Sequence, residues 1–71
     1  MNPRQIKEML HATPFVPFTI VMVAGEQYYV RNPDVLNVTA QGSVIFEDVT
    51  GPIRFLNPVL ISEILKPKTV A

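Results

Sequence analysis

Apolar and polar positions follow two different periods along this chain. Near the N-terminus Ile6, Met9 and Leu10 recur at helical spacing, while Arg4, Lys7 and Glu8 fall largely on the opposite side. Asn2 stands before them as an N-cap, Pro3 occupies the first helical position, and Gln5 is placed to answer the cap. Pro14 disfavours helical geometry at Thr13. The pattern therefore predicts a helix over about residues 3–12, too short to be stable alone and obliged to pack on something.

Beyond it the period becomes that of strands. The stretch PFVPFTIVMVAGEQYYV, residues 14–30, reads as a first hairpin around which the rest is organised. Phe18, Ile20 and Met22 share one face of its first strand and Val21 and Val23 the other. With both faces apolar, the strand is expected to be buried twice, once inside a barrel and once beneath the helix. Gly25 supplies the reversal with a positive φ. In the next strand Tyr28 and Val30 point one way, and Gln27, Tyr29 and Arg31 the other.

Asn32-Pro33-Asp34 is turn chemistry, after which Leu36 and Val38 alternate with polar neighbours. Gln41-Gly42 makes a further turn into a strand with Val44 and Phe46 on one face and Ile45 on the other. A loop around Gly51-Pro52 leads to a strand over 53–56. Asn57-Pro58 breaks it, in a single 3₁₀ turn, and a closing strand covers 61–65. Short strands at this spacing favour a small, strongly bent barrel over a sandwich. The expected architecture is a single domain over residues 1–71, mainly β: the helix, then roughly five antiparallel strands within about 17–66.

Length and composition sharpen this picture. A chain of 71 residues, 48% hydrophobic and without Cys, has more apolar content than its small interior can take and no disulfide to staple it. Self-association is the remaining staple, so a homo-oligomer is expected. Six cations balance six acids, which argues against a strongly basic nucleic-acid binder. The N-terminus lacks a signal-peptide core and no apolar run is long enough to cross a bilayer, so a cytoplasmic protein with no membrane role is expected.

Candidate chemistry is sparse. His11 falls in the last helical turn, where an imidazolium suits the dipole; it reads as a cap or, functionally, as a proton shuttle or RNA contact. Tyr29, Arg31 and Gln27 form an aromatic, basic and polar stripe that could stack a base and hold a phosphate, or lie in a subunit interface. Glu47 and Asp48 are adjacent and so face opposite ways, which suits a solvated turn better than an acid–base pair. Arg4, Lys7, Lys66 and Lys68 lie near the two ends and could share a rim. No phosphate-binding glycine loop, nucleophile elbow, Cys nucleophile or His-Glu-x-x-His is present. The expectation is a non-enzymatic protein with no cofactor and no metal.

Val16-Pro17 with the apolar strand ending at Gly25, and Ile61-Ser62-Glu63-Ile64 followed by Pro67, resemble the opening and the last strand of the Sm-like family, including its Hfq-like RNA-chaperone branch. That resemblance implies a helix followed by a five-stranded bent SH3-like barrel whose subunits pair edge strands into a ring that binds RNA. The family's Tyr-Lys-His signature has no counterpart here, where Asn57-Pro58-Val59-Leu60 stands. Ala24 replaces the Asn before the hairpin Gly, and the second Gly of the first motif falls near Val30. LHATPFVPFTI, NPDVLNV and LISEI also resemble a group of short, uncharacterised bacterial proteins with a Pro-Phe-x-Pro-Phe block, a likeness that implies no activity.

Two functional expectations result. One is a ring-forming Sm-like module that binds single-stranded RNA through Tyr29, Arg31 and Gln27, with Arg4 and Lys7 near the helix. The other is a structural or protein-interaction module without nucleic acid. In both, exposed edge strands pair between subunits, the candidates being Val44, Ile45 and Phe46 against Ile61, Ile64 and Leu65.

Overall fold

A computed structural model of the chain describes residues 2–47 and 51–67. The helix α1 spans Pro3–Leu10, followed by β1 Phe18–Met22, β2 Gln27–Val30, β3 Leu36–Val38, β4 Val44–Glu47, β5 Ile53–Leu56 and β6 Ile61–Leu65. Single 3₁₀ turns, Pro33–Val35 and Pro58–Leu60, precede β3 and β6. The class is mainly β, as the alternation predicts. The strands form two antiparallel three-stranded sheets, ordered β2-β1-β6 and β3-β4-β5, rather than a closed barrel.

One device starts all the helical segments. Asn2, Asn32 and Asn57 each precede a Pro, and each side-chain oxygen accepts the backbone N–H two residues on, at 2.9, 2.9 and 3.0 Å. The Asn supplies an acceptor for an otherwise orphaned donor, and Pro presets helical φ at a position whose own N–H has no use. The first turn is closed by the Gln5 backbone N–H, which donates to the Asn2 carbonyl at 3.1 Å. The helix ends two residues before the predicted stop, capped by His11, whose N–H donates to Lys7 O. Two glycines take the positive φ their turns require: Gly25 at 103° between β1 and β2, and Gly42 at 91° between β3 and β4.

A single apolar cluster joins the helix and the six strands. Ile6 and Leu10 of α1 meet Phe18, Ile20 and Met22 of β1, Val30, Leu36 and Val38, and Val44 and Phe46 of β4, closed by Leu56 and Ile61. The helix thus packs on the same inward side of β1 that faces the second sheet, and it lies against β3. This corrects the expectation that the helix would cover the other face of β1: Val21, on that face, is buried at 9% exposure but stands apart from the cluster that holds the helix. Val23, one residue beyond β1, is 65% exposed.

β6 pairs with β1 through a bulge. Thr19, Ile20 and Val21 face Leu65, Ile64 and Glu63, and the register shifts before Met22 faces Ile61. The extra residue is Ser62, whose hydroxyl donates to the Val21 carbonyl at 3.1 Å.

Ile6→Ala should lower the unfolding free energy by about 2–5 kcal/mol, since its side chain is wholly enclosed. Gly42→Ala should lower it by about 1–2 kcal/mol through the positive φ, its new methyl merely touching Pro3 Cγ at 3.4 Å. Urea titration followed by circular dichroism measures both. The control is Val59→Ala, 78% exposed, which should stay within about 0.5 kcal/mol of the parent. An Ile6→Ala chain as stable as this control would contradict the docking of α1.

Candidate functional site

Among the described residues none that is polar or charged is buried, so the chemistry this chain can offer lies on its surface. His, Cys, Asp and Glu form no cluster of three or more there. Among the same residues no helix is long and apolar enough to cross a membrane. Asp48 and Lys68, named above, fall outside the described residues.

The residues nominated for RNA divide between two places. Tyr29 lies on the outer face of the first sheet, 59% exposed, opposite Thr19 in a row that continues to Leu65. Gln27 is on the same face opposite Val21, and Arg31 is exposed one residue beyond β2. A shallow depression of about 370 Å³ brings Lys66 beside Tyr29, Thr19 and Leu65. Arg4 and Lys7 instead line a separate cleft of about 400 Å³ between α1 and the β3–β4 turn, beside Thr39 and Gly42. These two depressions share no residue, so the five nominated side chains do not make one site.

The nominated interface changes more. β4 is the central strand of its sheet, hydrogen-bonded on one side to β3 and on the other to β5. Val44 and Phe46 are buried core residues and Ile45 is half-buried on the outer face, so this segment has no free ladder for another subunit. That corrects its assignment as an edge. β6 is an outer strand as expected, but Ile61 is buried and Ile64 half-buried against the core, leaving Leu65 exposed at 47%.

The outer strands of the second sheet are β3 and β5, and β5 carries the exposed apolar residues. Leu56 and Arg54 face Val44 and Phe46 on the inner side, while Phe55 and Ile53 face Ile45 and Glu47 outside. Phe55 is 78% exposed and Ile53 55%. Alongside runs a groove of about 560 Å³ between β5 and the β1–β2 tip, lined by Met22, Val23, Tyr28, Leu56 and Leu60, with Glu26 and Arg54 as its charges. Tyr28 packs on Phe46 with ring centres 5.3 Å apart, and the Arg54 guanidinium lies 5.9 Å from the Tyr28 centroid. Val23 N–H, donating to Leu60 O at 2.7 Å, ties the second 3₁₀ turn to the end of β1.

Sequence reasoning passed over this seam. Its signal is nonetheless present: in Ile53-Arg54-Phe55-Leu56 both phases of the alternation carry apolar residues, and Val59-Leu60 sit in a turn too short to bury either. No protein-family model matches the chain, and no curated protein or solved structure matches it either.

At dilutions where the chain is a single copy, replacing Ile53 and Phe55 together with Ser should change stability by no more than about 0.5 kcal/mol for each exposed position, while sharply lowering binding of a hydrophobic fluorescent dye. Dye binding unchanged by the pair would show that the exposed apolar surface lies elsewhere.

Proposed function

We propose that this chain is a non-enzymatic binding module that engages protein partners through the seam between β5 and the β1–β2 tip. The observation that carries the reading is Phe55, 78% exposed on an outer strand beside Ile53, Val23 and Leu60. Exposed apolar side chains grouped along an outer strand and its neighbouring groove mark a place where a protein partner can dock. An extended segment laid along β5 would complete the unpaired side of its ladder and set side chains into the groove.

An Sm-like outline fits this reading. Counting β2 and β3 as one strand bent at Pro33–Val35 leaves five strands after one helix, with β5 and β6 as outer strands. One observation favours RNA as a second reading: Lys66 shares a depression with the exposed Tyr29, a stacking surface beside a cation.

Two measurements separate the readings. Panning a random dodecapeptide display library against nanomolar chain should enrich extended apolar sequences that a Phe55→Lys chain fails to retain. Labelled single-stranded RNA should show no polarisation change at low salt. RNA binding that falls steeply with salt and disappears in Tyr29→Ala, with no peptide enriched, would move the function to the outer face of the first sheet.

A further inference from the structure

The two sheets have four outer strands, β2 and β6 in the first and β3 and β5 in the second, and the last strands of each, β6 and β5, differ in character. β6 is blunted: its pairing with β1 carries a bulge, Ser62 bonds back to Val21, and Ser62, Glu63 and Lys66 are exposed along it. A bulge and a charge on an edge are the features that discourage pairing with another strand. β5 carries one charge, Arg54, but its pairing with β4 has no bulge, and Phe55 and Ile53 project from it. We infer that the occupant of the seam is a second copy of this chain, its β5 antiparallel to the first across a twofold axis. The inference rests on the seam reading above and names its partner.

An antiparallel edge is self-complementary about a twofold, so one unprotected strand suffices where a head-to-tail ring would need two. Charge agrees with this. The groove carries one acid, Glu26, and one base, Arg54, so two copies of it present balanced charge to each other. With six cations and six acids per chain, two copies have no net repulsion to overcome.

Charge and backbone also select the register. Centring the axis on Arg54 would put two guanidinium groups directly opposite each other, which is destabilising. Centring it on Leu56 would set Arg54 against the partner's Pro58, which has no N–H to give the ladder. Centred on Phe55, the two Phe55 rings face each other on the outer side, and Arg54 lies opposite the partner's Leu56. The two three-stranded sheets then merge into one that is continuous across the dimer.

Because the chain has no Cys, single-cysteine variants test this directly. Opposed residues of an antiparallel pair have Cα atoms about 4.5–5.5 Å apart, within reach of a disulfide. Light scattering should give twice the 8.0 kDa of one chain. Mild oxidation of a Phe55→Cys chain should convert most of it to a linked dimer, whereas Glu63→Cys on β6 should link at least about tenfold less. Phe55→Lys should return the mass to that of one chain.

A native mass of one chain at all accessible concentrations overturns the dimer, and peptide capture that still depends on Phe55 would then leave the seam as a site for other proteins. A ring, or efficient linking only in an Ile53→Cys, Leu65→Cys double variant, overturns the twofold in favour of β5 pairing with β6.

Discussion

Everything in this fold is arranged against the inward face of β1. Phe18 and Ile20 are fully enclosed, and the helix, the second sheet and β6 all reach them through one apolar cluster. No other strand has neighbours on both sides within the first sheet. The dependence is mutual. A helix of eight residues has no independent stability, and three-stranded sheets need a packed face to persist. Burial of Ile6 and Leu10 supplies both with what they lack.

That arrangement spends the inward-facing residues and leaves a remainder. A small domain cannot enclose all its apolar side chains, because its surface is large relative to its interior. Here the remainder is concentrated, not scattered. Val23, Ile53, Phe55, Val59 and Leu60 are all at least half exposed, and four of them border the same groove. The binding reading follows from that concentration, since isolated exposed apolar residues would carry no such meaning.

The charged residues play a different part. Within the described residues they stay outside the core, and the contact that Arg54 makes with Tyr28 lies at the rim of the seam. Glu63 and the bulge beside it give β6 an edge unlike that of β5. The difference between these two edges, rather than any catalytic grouping, is the feature of the surface most able to direct an association.

Local chemistry was legible from the sequence alone. Asn2-Pro3 and Asn57-Pro58 announced where helical turns begin, Gly25 announced a positive φ, and alternation set Tyr28 and Val30 on one face against Gln27 and Tyr29 on the other. Each of these depends on residues a few positions apart, so the chain order contains the whole cause. Strand order was not legible in the same way. Val44, Ile45 and Phe46 look like an apolar edge when read alone, yet β3 and β5 close on both sides of them. The helix likewise chose the inner side of β1, although both sides offered apolar residues. Whether Phe55 would be covered turned on the same choice. Alternation states which side chains share a face, but not which distant segment lies against that face; only the packing of the two sheets decides that.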